Sequence, residues 1–180
     1  DNVVLVSPQD ISEIKSVLKS DKDIAAVIVE PTGSSFGMVP MTQEFLQSVR
    51  KFTEEQGVIF IFDEVVTGFR CSPGGAQQAF DIKPDLTTLA KILAGGLPGG
   101  AVAGRKDILD DLDFERAAAQ GREKIGHPGT FNANPVSAAA GIAALKIIEQ
   151  TDACEKANTS AAILRENFNN ILEKHNVPWA

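Results

Sequence analysis

The sequence has no tyrosine, one tryptophan, and only two cysteines and two methionines. Cys71 and Cys154 lie far apart without metal-type spacing, so a zinc site lacks the residues it needs, and nothing in the pattern supports a disulfide between the two. They read as reduced thiols of a cytoplasmic protein, and no metal is expected. Long hydrophobic runs are missing too: none approaches the ~20 residues that cross a bilayer. The opening residues carry no secretory-leader pattern, and Asp1 is not an initiator Met, so the natural start is expected to lie upstream. Lys and Arg form no cluster, and a formal net charge of −7 disfavours nucleic-acid binding. No GxGxxG or Walker loop follows a strand-like run, which leaves a nucleotide-binding regulatory domain without its phosphate cradle. Internal repeats and low-complexity segments are also absent.

What is present reads as an ordinary globular chain, 43% hydrophobic and 23% charged over 180 residues, enough for one domain or a large piece of one. Residues 3–6 form a short apolar strand pattern. Asp10, with Glu13 three residues on, marks a capped helix running to about Lys19. The β-branched run at 24–29 predicts a strand covered on both faces, stopped by Glu30 and Pro31 and followed by a Gly/Ser-rich loop. Phe45, Leu46, Val49 and Phe52 give 42–56 a helical period, with Gly57 as its C-cap. Residues 58–62, 86–89 and 100–103 predict three further strands. Ala-rich segments at 135–150 and 153–173 predict long helices. Alternating strands and helices imply an α/β fold with a mostly parallel sheet, whose ligands gather at the carboxyl ends of its strands.

Asp63 and Glu64 stand on that edge, directly after an apolar strand. Lys91 follows 28 residues after Asp63, just beyond the next strand, and "HPGTFNANP" (127–135) places Gly129 and Thr130 before a helix. An acid, a lysine and an anion-holding loop are the parts a pyridoxal 5'-phosphate site needs: a pairing partner for the pyridine nitrogen, a primary amine, and N–H and hydroxyl donors for phosphate. Each residue alone has a plainer explanation. Asp63 could be a strand-end acid or helix cap, Lys91 a solvated loop lysine, and Thr130 the cap of the next helix.

The segments "AAVIVEPTGSSFGMVP", "FIFDEVVTGFR", "PDLTTLAKILAGGLPGGAVAGRKDIL" and "GTFNANPVSAAAGIAAL" resemble the class III aminotransferases, and within them the glutamate-1-semialdehyde 2,1-aminomutase subgroup. The resemblance implies the large domain of a fold-type-I pyridoxal-phosphate enzyme, with residues 1–150 as part of the cofactor domain. Residues 151–180 would be a helical segment leading to a small domain beyond this chain. It implies that Asp63 bonds the pyridinium nitrogen. Lys91 would carry the cofactor as an internal aldimine, desolvated by its apolar neighbours 89–93. Gly129 and Thr130 would reach the cofactor phosphate of a neighbouring subunit in a homodimer with shared sites. Val66 stands where many class III transaminases carry Gln, which points to the aminomutase branch acting on a small amino or keto substrate. The alternatives are an ω-aminotransferase with a keto-acid acceptor or, for this chain alone, a non-catalytic α/β fragment. Among the neighbours, Glu64 reads as a scaffold hydrogen-bonder, Glu30 as a structural or rim charge, and Arg70 as a salt-bridge partner. Asn132 and Asn134 read as turn and cap residues, and no catalytic role is expected of His127.

Overall fold

In the computed structural model of the chain, the described residues are 2–8, 10–33 and 41–178. Four strands form one sheet in the order β1 (Ala26–Val29), β2 (Ile59–Asp63), β3 (Leu86–Leu89), β4 (Ala101–Gly104). The first three run parallel and β4 is antiparallel to β3, so the sheet is mostly parallel as predicted.

Helix α1 (Ile11–Ser20) starts at Asp10, whose Oδ1 accepts from the Ser12 and Glu13 amides. Glu13 reaches back to the Ser7 amide at 2.7 Å rather than to Asp10's own, a looser version of the expected box. Helix α2 (Gln43–Gln56) is capped by Thr42 and closed by Gly57 in the left-handed region (φ 69°). All four of its predicted apolar positions are buried. Together with Ile14 and Leu18 of α1 they cover Phe60 and Phe62, which are fully buried and meet edge-on at 5.1 Å between ring centres. Burying side chains of this size contributes roughly 1.5–3 kcal/mol each.

Strand register explains what this one-sided core leaves open. Val27, Val29, Phe60 and Phe62 share the core face, whereas Ile28, Ile61 and Asp63 point the other way. Ile28 is 61% exposed, so β1 is covered on one face among the described residues, not on both as its composition suggests. A β-branched run records strand propensity, not which neighbours arrive. Residues 3–6 form no strand either: with no adjacent strand among the described residues to complete its hydrogen bonds, the apolar run stays irregular, and Leu5 is 88% exposed. The Gly/Ser-rich loop expected after Pro31 lies largely outside the described residues.

The amino ends of the strands are tied by Asp85. Its carboxylate accepts from Arg50 of α2 (2.9 Å), from the Phe60 amide (2.8 Å) and from Arg105 after β4 (3.2 Å). Burial acts to raise the Asp85 pKa, but these three donors outweigh it and hold the group below the usual carboxylate range. Beyond the sheet come α3 (Gly75–Phe80), α4 (Lys106–Leu109), α5 (Phe114–Ala119), α6 (Pro135–Gln150) and α7 (Ala153–Lys174). Val136, Ile142 and Ile147 of α6 and Ile163, Leu164, Phe168 and Ile171 of α7 are all exposed. That is more apolar helix surface than a finished fold leaves in water.

Candidate active site

Asp63 is the last residue of β2 and pairs in register with Thr88 of β3, so the two side chains stand beside each other on the same sheet face. Asp63 Oδ1 accepts two hydrogen bonds, from the Thr88 hydroxyl at 3.0 Å and from the Val65 amide at 3.1 Å. Oδ2 makes none among the described residues. The Val65 bond is a local turn contact, because the chain runs into turns after Asp63 rather than into a helix that the acid could cap.

Lys91 opens a short 3₁₀ turn (Lys91–Ala94) two residues after β3. Its φ is +49°, a left-handed conformation that costs a non-glycine residue about 1–3 kcal/mol and that tends to persist at functional sites. Its amine has no hydrogen bond or ion pair among the described residues. Lys91 is also exposed, which corrects the expectation that residues 89–93 desolvate it: Ile92 and Leu93 pack half-buried while the lysine side chain turns outward.

Close backbone contact fixes the lysine's turn. A Cβ on Gly95 would sit 2.5 Å from the Ala140 carbonyl oxygen, and one on Gly141 would sit 2.5 Å from that of Leu93. The turn and α6 therefore meet backbone to backbone, an approach open only to residues without side chains. Gly95 also has a φ of +61°.

Glu64 faces inward and is 1% exposed. Its Oε2 accepts from the Ala76 amide (2.6 Å) and the Thr67 hydroxyl (3.1 Å), and its Oε1 from the Gln77 amide (3.3 Å) and side chain (2.9 Å). Gln77 donates in turn to Thr87 at 3.0 Å. Glu64 is thus the scaffold residue expected, stitching the turn after Asp63 to α3 and β3. Val66 sits half-buried in that same turn. Arg70 forms no ion pair among the described residues: its Nε donates to the Val66 carbonyl at 2.9 Å, because the tight turn brings that oxygen within reach. Glu30 accepts from the Thr32 hydroxyl at 3.0 Å.

Gly129 and Thr130 lie in an exposed loop, and no hydrogen bond joins them to Asp63 or Lys91. Thr130 does not cap α6. Asn134 does, accepting from the Val136 and Ser137 amides, while Asn132 binds the His127 carbonyl across the turn. With its capping alternative removed, Thr130 has a side chain with no structural task among the described residues. Thr88 and Gln77 were not singled out by the sequence. A Thr-Thr pair in a strand sends one hydroxyl to each face, but only the fold says what each one meets.

Among the described residues no His/Cys/Asp/Glu group is arranged to hold a metal, and no helix is long and apolar enough to cross a membrane. Cys71 and Cys154 are free thiols, and burial pushes the Cys71 thiol pKa up, with the charge of Glu64 adding to it. A cavity of about 500 Å³ opens at the amino ends of the strands, lined by Arg50, Lys51, Lys83, Asp85 and Arg105 among others. It contains none of Asp63, Val66, Lys91 or Thr130. The carboxyl edge remains the stronger candidate, because Asp85 in the cavity is fully engaged by structural donors while Asp63 Oδ2 and Lys91 are not.

An acid with one oxygen unengaged among the described residues, at the end of β2, and an amine unpartnered among them, just beyond the end of parallel β3, are the groups a pyridoxal-phosphate ring requires at its nitrogen and at its carbonyl carbon. Known proteins bear on the same point. Residues 6–179 match the family "Aminotransferase class-III". The chain is 41% identical over 177 residues to glutamate-1-semialdehyde 2,1-aminomutase of Sulfurisphaera tokodaii, covering 98% of this chain and 40% of that protein. An ω-transaminase from Sphaerobacter thermophilus superposes with a TM-score of 0.86 at 35% identity, over 98% of this chain and 39% of that one. A structure described as a transaminase with PLP bound superposes equally well, TM-score 0.86 at 30% identity, over 98% and 40% of the two chains. The chain thus spans about 40% of the length of the relatives it matches. It belongs to the class III aminotransferase family and has an α/β fold shared with fold-type-I pyridoxal-phosphate enzymes.

Proposed function

We propose that the protein carrying this chain is a pyridoxal 5'-phosphate-dependent enzyme of amino-group transfer, of the glutamate-1-semialdehyde 2,1-aminomutase type. The observation that carries the reading is that Asp63 ends β2 and Lys91 opens the turn just beyond its parallel neighbour β3, at the same sheet edge, with Asp63 directly opposite Thr88 and Lys91 three residues further on. When bound, the cofactor supplies an electron sink for the pair left behind as an α-proton departs. Asp63 Oδ2 would hold a proton on the ring nitrogen, which is what would give the ring that capacity. Lys91 contributes the primary amine that fixes the cofactor covalently. The same amine, when free, would be the base that moves a proton at the substrate α-carbon. Val66, half-buried in the turn after Asp63, would border the ring.

Residues 1–150 form part of the cofactor domain in this reading, and 151–180 lead towards a smaller domain. The exposed apolar faces of α6 and α7 are then covered by the rest of the longer chain and by a second copy. Gly129 and Thr130 reach the phosphate held by that copy, which makes the enzyme a homodimer with shared sites.

Addition of pyridoxal phosphate to the full-length protein should produce a visible absorption band that Lys91→Ala abolishes. A band that survives in Lys91→Ala refutes the assignment. The similarity to an ω-transaminase supports a second reading, in which a keto-acid acceptor is required. Glutamate-1-semialdehyde supplied alone separates the two, since a mutase turns over continuously and a transaminase stalls after half a cycle. For the 180-residue chain on its own, a dimer by sedimentation without cofactor uptake would mark a non-catalytic fragment.

A further inference from the structure

Asp63 is held by only one of its two oxygens. The Thr88 hydroxyl and the Val65 amide both donate to Oδ1, at 3.0 and 3.1 Å, and Oδ2 has no partner among the described residues. The two donors differ in kind. Val65 N–H belongs to the turn that Asp63 itself begins, and so it moves with Asp63. Thr88 belongs to the neighbouring strand, anchored by the β2–β3 pairing and by the Glu64 amide donating to the Thr88 carbonyl at 3.0 Å. It is therefore the contact that references the carboxylate to the sheet. Thr88 is also β-branched, with χ1 restricted to few rotamers, so its hydroxyl is a stiff anchor.

We propose that Thr88 is a positioning residue. By occupying Oδ1 from the adjacent strand, it fixes the rotation of the Asp63 carboxylate and leaves Oδ2 as the single acceptor presented to a protonated ring nitrogen. The preceding residue, Thr87, faces the other way and completes the Glu64–Gln77 frame. One dipeptide thus braces the buried scaffold on one sheet face and aims the acid on the other. This assignment rests on the cofactor reading above, and it adds a residue to which that reading gives no part.

Loss of the Thr88 hydroxyl releases rotation of a half-buried side chain that can turn towards water, which reduces the fraction of molecules with Oδ2 in place. A directional contact to the ring nitrogen suffers from that rotation, because hydrogen bonds weaken steeply once misaligned.

The test uses the full-length protein loaded with pyridoxal phosphate ¹⁵N-labelled at the ring nitrogen. Thr88→Val, which preserves shape, should weaken cofactor binding about ten- to 150-fold, the equivalent of one hydrogen bond to a charged group. The ring ¹⁵N resonance should move towards the neutral-pyridine position. Thr88→Ser should restore both to within about threefold and nearly wild-type shift. Thr87→Val should lower stability while the ring ¹⁵N resonance stays put. The inference is overturned if Thr88→Val binds and resonates like wild type, or if Thr88→Ser, folded, is as impaired as Thr88→Val. It is also overturned if Thr87→Val moves the ring resonance equally. Failure of the wild-type protein to take up the cofactor would refute the enzyme reading itself, and this inference with it.

Discussion

Replacing Glu64 by alanine should destabilise the protein by about 3–5 kcal/mol. The four groups that donate to its carboxylate are the Thr67 hydroxyl, the Ala76 and Gln77 amides and the Gln77 side chain. Hydrogen bonds to a charged group are worth about 1.5–3 kcal/mol each net of desolvation, and they do not simply add. The Thr67 hydroxyl can rotate to another acceptor and the Gln77 amide bond is already long. The residue that cannot adapt is Ala76, fully buried, whose amide would be left without an acceptor at roughly 1–3 kcal/mol. Two firm bonds at about 1.5 kcal/mol each give the lower end, about 3 kcal/mol, and the orphan adds up to about 2 more, a large share of a typical 5–15 kcal/mol stability. Glu64→Gln should cost about 2–4 kcal/mol, because its NH₂ would face donors where an acceptor is needed. Urea denaturation of the full-length protein at unchanged m-value measures both. Losses below about 1 kcal/mol for both variants would refute the view that this carboxylate holds the turn after Asp63 in place.

Asp63→Ala should slow turnover by about 10²- to 10³-fold with little loss of stability. A carboxylate and a cation 4 Å apart gain about 4 kcal/mol at a moderate effective dielectric, and most of that would act on the charge-developing step; steady-state kcat checks it. Lys91→Gly should abolish covalent cofactor attachment yet raise the urea midpoint, by about 1 kcal/mol in stability, since glycine takes a φ of +49° without strain. Gly95→Ala should cost at least 1–3 kcal/mol and impair cofactor uptake, because its Cβ would meet the Ala140 carbonyl. The folded-state pKa of Asp85 is lowered, so its contribution is complete above the unfolded value of about 3.9 and is lost as pH falls below that. Asp85→Asn should therefore flatten the acid limb of the stability–pH curve in that range, as followed by circular dichroism.

Elements with strong periodicity and clear punctuation were legible before any coordinates. Leu86–Leu89 and Pro135–Gln150 fall where the pattern put them, and Thr42 and Gly57 close α2 as cap residues should. The short helices at 75–80, 106–109 and 114–119 escaped notice because segments of one or two turns carry too little periodic signal and depend on tertiary contacts to form. For the site, strand ends located Asp63 and Lys91 on one edge. The outward turn of Lys91 was hidden because it depends on the backbone φ at that residue, not on the polarity of its neighbours. The Asp63–Thr88 bond was hidden for another reason: it is a cross-strand contact set by register, and register joins residues 25 apart in sequence.

The most direct test is chemical. Borohydride reduction of the cofactor-loaded full-length protein, followed by peptide mass spectrometry, should place the reduced pyridoxyl adduct on the peptide containing Lys91 and on no other. An adduct on a different lysine, or no adduct at all, would contradict the claim that this sheet edge is where the cofactor is held.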